Sequence, residues 1–166
     1  MTGEAVNPDN YRKAWSFFGT GVTVITTREP DGKIHGMTAN GVLSVSLEPP
    51  LALASIGHNR NTHPLIRANS RFGISILGTT QEHVARHFTL PPAQRPASSS
   101  FEYENVGESP VIANALSAMD CKVISEHVEG DHTLFIARVE HVKLTDGEPM
   151  LWYGGKFGRF VPGQES

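Results

Sequence analysis

Residues 42–47 alternate strictly: Val42, Ser44 and Ser46 fall on one side of an extended backbone, Leu43, Val45 and Leu47 on the other. Period-two patterning of this kind marks a β-strand. Serine is a poor strand former, so a face that carries two of them predicts hydrogen bonding on that face. Glu48-Pro49-Pro50 stops the ladder, because proline has no backbone N–H to donate. Just upstream, Gly36-Met37-Thr38-Ala39-Asn40 is short in bulk and rich in polar edges. The 36–50 stretch is therefore where a strand-based fold concentrates its unusual chemistry.

The other segments repeat the strand theme. Val22-Thr23-Val24-Ile25-Thr26-Thr27 is a β-branched run and reads as a strand. Glu29-Pro30-Asp31-Gly32 turns the chain, and 33–40 returns as its partner. Leu51-Ala52-Leu53-Ala54-Ser55-Ile56 is almost wholly apolar, which predicts a strand buried on both faces. Phe72 to Leu77, Cys121 to Val128, Thr133 to Val142 and Met150 to Tyr153 complete the set, with Gly130 and Gly147 in the turns between them.

Helices are few. Asn7-Pro8 is an N-cap followed by proline in the first turn. Tyr11, Ala14, Trp15 and Phe18 then share one face, expected to pack into the core. A short helix follows Thr62-His63-Pro64. Another follows Thr79, with Glu82 three residues on as a capping box, and carries Val84, Ala85 and Phe88. Residues 89–110, with four prolines and three consecutive serines, read as a long loop that could act as a lid, and the end of the chain reads as frayed. Many short strands and few helices predict a mainly β protein, an antiparallel barrel in one domain over residues 1–166.

Composition excludes several function classes. A net charge of −3 without a basic stripe argues against nucleic acid. No apolar run approaches the roughly 20 residues of a membrane span. One cysteine, Cys121, cannot form an internal disulfide; with no signal-peptide order at the N-terminus it predicts a cytoplasmic protein. No dinucleotide fingerprint, phosphate-binding P-loop or nucleophile elbow is present. His83 and His87 are four apart on one helix, but no third ligand accompanies them, so no metal is assigned.

Several blocks, taken in order, resemble the flavin reductase-like family, whose fold is an FMN-binding split barrel. They are Gly21 to Thr27, Gly36 to Asn40, Ser44-Val45-Ser46-Leu47-Glu48-Pro49-Pro50-Leu51, Phe72 to Leu77, Gly130-Asp131-His132 and Leu151 to Phe157. Within that family the chain is most similar to small NADH:flavin oxidoreductases that feed two-component aromatic monooxygenases.

The resemblance implies a split barrel that reduces FMN or FAD by direct hydride transfer from NADH or NADPH. It places Met37, Thr38, Ala39, Asn40, Ser44, Val45 and Ser46 along the flavin ring and ribityl chain. Ser55, Ile56, Asn59, Arg60, Asn61 and Thr62 would hold the phosphate, with Arg86 and His87 within reach of the phosphate or an adenine. His132 matches the histidine beside the nicotinamide, and Tyr153, Gly155 and Lys156 match the C-terminal strand by the flavin. The absence of an arginine cluster for a ribose phosphate favours NADH. The expected partners are a second copy in a homodimer and a flavin-dependent monooxygenase. A non-catalytic flavin carrier of the same fold is the alternative.

Overall fold

A computed structural model of the protein describes residues 3, 5–96, 98 and 100–163. Ala97, Ser99 and residues 164–166, parts of the expected loop and frayed tail, lie outside them. In chain order the elements are α1 (Pro8–Ser16), β1 (Thr20–Gly21), β2 (Thr23–Arg28), β3 (Ile34–Ala39), β4 (Val42–Leu47) and β5 (Pro50–Gly57). Next come α2 (Thr62–Asn69), β6 (Arg71–Ile76), α3 (Glu82–Thr89), β7 (Tyr103–Val106) and β8 (Ser109–Ile112). The chain closes with β9 (Ser117–Glu129), β10 (His132–Leu144), β11 (Met150–Tyr153) and β12 (Lys156–Arg159).

Seven strands form one sheet in the order β3-β2-β6-β9-β10-β5-β4, every neighbour antiparallel. The two edge strands, β3 and β4, are consecutive in sequence and joined by Asn40-Gly41 alone. A link that short forces the sheet to curl until its edges meet. No ladder pairs β3 with β4, so the barrel is split there, and the Ser55 N–H donating to the Gly41 carbonyl at 2.8 Å holds the link against β5. A smaller sheet, β1-β11-β12, packs at one end.

Inside the curl lie Ile25, Ala52, Ala54, Ile56, Ile66, Phe72, Ile74, Cys121, Phe135 and Ala137. Burying each large apolar side chain contributes about 1.5–3 kcal/mol. A second cluster joins Val24, Leu77, Val84, Phe88, Ile112 and Met150, docking α3 and β8 on the barrel. Cys121 is fully buried, and burial, with Asp120 alongside, pushes its thiol up to about 12.

Four expectations are corrected here. β5 is buried on one face only: Ala52, Ala54 and Ile56 point inward, while Leu51, Leu53 and Ser55 are partly open. The aromatic face of α1 is not core, since the helix buries no residue and Tyr11, Trp15 and Phe18 are each more than half exposed. The cap expected from Thr79 and Glu82 is made by Gln81, whose side-chain oxygen accepts from the Gly78 N–H at 3.1 Å, while Glu82 pairs with Arg86. The supposed loop of 89–110 contains β7 and the first residues of β8; Pro110 is tolerated because its carbonyl, not a missing N–H, is used, accepting from Thr26 Oγ1.

That last contact requires Gly73. A Cβ there would stand 2.3 Å from the Pro110 carbonyl oxygen and 2.7 Å from Thr26 Oγ1. Gly73→Ala should therefore destabilise the protein by about 1–3 kcal/mol, read as a lowered urea midpoint. An unchanged midpoint would show that β8 does not press on β6 as described.

At the far side of the sheet, Asp120 is fully buried beneath the β7–β8 hairpin. Both of its oxygens accept from Arg71 Nη1 (Oδ1 at 2.7 Å, Oδ2 at 2.6 Å); it also accepts from Ser109 Oγ at 2.6 Å and from the Glu108 N–H at 3.2 Å, with His141 Nδ1 at 3.2 Å. Burial alone would raise its carboxyl, but these hydrogen bonds outweigh it and hold the group below the usual carboxylate range.

Candidate active site

The split between β3 and β4 is lined by polar backbone and small side chains. Thr23 Oγ1 donates to the Ala39 carbonyl at 2.7 Å and Thr38 Oγ1 to the Ala85 carbonyl at 2.6 Å, fixing the end of β3 between β2 and α3. So held, Met37-Thr38-Ala39-Asn40 runs past three concavities in succession. Met37 and Thr38 line the first, Thr38, Ala39 and Asn40 the second, and Asn40 with Gly41 the third.

The first has a volume of about 320 Å³. One wall is the turn from β5 into α2, with Asn59, Arg60, Asn61 and Thr62; the other is the segment after α3, with Leu90, Pro91, Pro92 and Arg95. Among the described residues no carboxylate lines it. Thr62 opens α2, and its buried Oγ1 has no hydrogen-bond partner among the described residues. The Asn61 side chain makes no cap to that helix. A helix start without a side-chain cap, an orphaned hydroxyl and arginine side chains favour an anion.

The second concavity, about 200 Å³, is walled by Val22, Trp152 and Phe157, whose rings meet edge-on at 4.9 Å. It offers apolar contact beside the Thr38 to Asn40 backbone. The third is the largest, about 1080 Å³, and open. Leu53, Ser55, Leu134 and His132 line it, with Tyr11 and Trp15 of α1 and Phe18 just beyond that helix. Thr20, also on this wall, has a second unpartnered hydroxyl.

His132 begins β10, paired in register with Gly57 of β5. Its side chain is 46 % exposed, and Nδ1 lies 2.7 Å from Asp131 Oδ1. That hydrogen bond holds the Asp131 carboxyl below its ordinary value. A Cβ on Gly57 would come within 3.5 Å of His132 Nε2, so the glycine leaves the ring room. The neighbouring Thr133 is gripped from the anion turn: its hydroxyl lies 3.1 Å from His58 Nε2 and 2.8 Å from His63 Nε2. A hydroxyl has one proton, so it donates to one imidazole and accepts from the N–H of the other. Burial, then the charges of His58 and Arg67, lower the His63 pKa.

The sequence-derived residues thus divide. Met37, Thr38, Ala39, Asn40, Asn59, Arg60, Asn61 and Thr62 come together around the first two concavities, and Ser55 and His132 share the third. Ser55 lines the third concavity and not the first. Ile56 is wholly in the core and can offer only its backbone. Ser44, Val45 and Ser46 line none of the three; β4 is an edge strand, and a register shift between Ser44 and Ser46 breaks the alternation read from the sequence. Tyr153, Gly155 and Lys156 sit at the exposed β11–β12 turn, so Tyr153 is not core. Arg86 pairs with Glu82 and lies over the Phe157 ring, and His87 is wedged edge-on between Phe88 and Phe101. Sequence reasoning missed Arg95, Trp152, Phe157 and the α1 aromatics; the period-3.6 stripe of α1 was the one available signal.

Comparison with known proteins bears on the family and the fold. Residues 15–160 match the model of the flavin reductase like domain. A protein of a Rhodococcus species described as NADH-dependent flavin reductase is 41 % identical over 154 residues, 92 % of this chain and 86 % of that one. The reductase component of 4-nitrophenol 4-monooxygenase/4-nitrocatechol 2-monooxygenase from Rhodococcus opacus is 34 % identical over 152 residues, 92 % and 80 % of the two chains. The solved structure of flavin reductase PheA2 in its native state superposes with a TM-score of 0.87 at 38 % identity, covering 95 % of this chain and all of that one. The fold and these relatives together define a flavin-reducing oxidoreductase on a split β-barrel. The chain belongs to the flavin reductase-like domain family.

Proposed function

We propose that the protein reduces FMN or FAD with NADH and passes the reduced flavin to a partner monooxygenase. The observation that carries this reading is the single tetrapeptide Met37-Thr38-Ala39-Asn40 connecting an anion-binding turn, an apolar slot and an open chamber that holds His132. A flavin has the same three requirements: a phosphate, a planar apolar ring with polar edges, and an open face for the nicotinamide. Bound there, the flavin supplies a ring that accepts the hydride the nicotinamide gives up.

The chain's own residues bind and orient. Asn59, Arg60, Asn61 and Thr62 hold the phosphate at the start of α2. Thr38, Ala39 and Asn40 present backbone groups to the ring edge, and Trp152 and Phe157 exclude water from its apolar side. His132, steadied by Asp131, orients the nicotinamide; it moves no proton, because hydride passes directly between the two rings. Mixing the protein with NADH and either flavin and following nicotinamide absorbance tests the reading. Oxidation no faster than in a protein-free control would refute it. Tightly held flavin with no turnover would favour a carrier instead.

The relative that is a monooxygenase reductase component supports the partner assignment. A homodimer is supported by unpartnered apolar side chains on edge strand β4 and the outer ends of β9 and β10: Leu43, Leu47, Ile124, Val128, Val142 and Leu144 are half or more exposed. Ser44, Val45 and Ser46 lie on that same edge. Gel filtration at micromolar concentration should give twice the 18.1 kDa chain mass; a monomer alone would contradict it.

A further inference from the structure

The geometry points to FAD, rather than FMN, as the flavin this site selects, with Arg95 as the ligand of its second phosphate. The inference rests on the flavin-reductase reading above. The start of α2, Arg60 and the Thr62 hydroxyl already suffice for one phosphate. Arg95 stands on the opposite wall of the same cavity. It is partly buried, and burial lowers the pKa of its guanidinium. Among the described residues no carboxylate forms an ion pair with it or lines the cavity; Glu29 and Tyr103 act on it only at longer range and do not offset its burial. A partly buried, unpaired guanidinium is costly to desolvate unless an anion is brought to it.

Its side chain is also aimed and held. Nη2 donates to the Gly36 carbonyl at 2.9 Å and Nε to the Leu90 carbonyl at 3.0 Å, and the guanidinium lies 5.0 Å from the centroid of the Phe88 ring. Arginine's fork carries more N–H donors than those two bonds use, so Nη1 remains for a ligand. Phe88 can come this close to β3 because residue 36 is glycine; a Cβ there would lie 2.7 Å from the Phe88 ring. The cavity of about 320 Å³, mixed in its lining and apolar on this side at Phe88, Pro91 and Pro92, has the size of a small-molecule pocket rather than of a single-anion nest. Two cations on facing walls and an apolar end match a diphosphate carrying an adenosine.

The test is steady-state kinetics at saturating NADH with FAD, FMN and riboflavin, for the wild-type protein, Arg95→Gln, Arg95→Lys and Arg60→Gln, with ADP and orthophosphate as competitors. The wild-type KM for FAD should lie about tenfold or more below that for FMN, a charge-assisted contact being worth that much. Arg95→Gln should raise the KM for FAD by roughly 10- to 100-fold and bring the two flavins together, with Arg95→Lys intermediate. Arg60→Gln should raise both in parallel. ADP should compete with FAD far better than orthophosphate does, and lose that advantage in Arg95→Gln. A wild-type protein that treats FAD and FMN alike, or an Arg95→Gln variant that keeps the preference, overturns the inference while leaving the reductase reading intact. NADH oxidation with none of the three flavins overturns both. Should Arg95→Gln disturb the 90–96 segment so that riboflavin use falls equally, ADP against wild-type protein decides: no competition overturns the inference.

Discussion

His132→Ala should lower kcat/KM for NADH by roughly 100-fold while the dissociation constant for flavin changes by no more than about threefold. The asymmetry follows from where the side chain stands. His132 lines the open chamber with Asn40 and Ser55, and lines neither the cavity that holds Asn59 to Thr62 nor the Trp152–Phe157 slot, although it pairs with Gly57 at the start of the α2 turn. Hydride transfer depends steeply on ring-to-ring placement, and a misplacement of about 1 Å is enough for a loss of this size. Flavin affinity comes from contacts the substitution leaves in place. Stopped-flow reduction at varied NADH, paired with a flavin titration monitored by fluorescence, separates the two. Equal losses in both would mean that His132 shapes the flavin pocket itself.

Asp120→Ala should cost about 3–5 kcal/mol of stability, the largest loss expected from a single substitution outside the apolar core. The carboxylate is fully buried and shares its oxygens among Arg71, Ser109, the Glu108 N–H and His141. Truncation leaves the Arg71 guanidinium, only 15 % exposed, with Glu140 at 2.8 Å and Glu108 at 3.5 Å as its remaining partners. A second vacancy opens against Gly107, where a Cβ would already have met Asp120 Oδ2 at 2.3 Å. Denaturant unfolding measures the loss; a change under about 1 kcal/mol would show the network to be dispensable. The same carboxyl sets a pH dependence. Its native pKa is depressed below the unfolded value of about 3.9. Its contribution is therefore complete above that value and disappears as the pH falls through the native pKa. The wild-type protein should lose this increment on acidification, and Asp120→Ala should not.

Strands carried by β-branched or alternating apolar runs were legible because one side chain in two must be buried: β2, β5, β6, β9 and β10 all stand where patterning puts them. The β7–β8 hairpin was not, because it follows a proline- and serine-rich stretch and itself contains Pro110 and Gly107; it is held by what lies beneath it, Asp120 and Thr26, which no local pattern records. Among site residues, Thr38 to Asn40 and Asn59 to Thr62 were found as contiguous blocks. Arg95 was hidden because it reaches the cavity only through a fold-back onto Gly36 across 59 residues. The aromatic face of α1 shows the limit of periodicity: spacing reveals that a helix has an apolar side, not whether the barrel, a ligand or another molecule covers it.

Free reduced flavin meets dissolved oxygen readily, and peroxide is the product, so a protein that releases it works within its own oxidant stream. Its only sulfhydryl, at residue 121, is sealed between strands with its proton held until about pH 12. Sulfenic acid formation and cross-linking both start from the ionised form. The polypeptide consequently carries no thiol fuse: repeated turnover in air should leave its mass unchanged at cysteine, whatever becomes of the flavin.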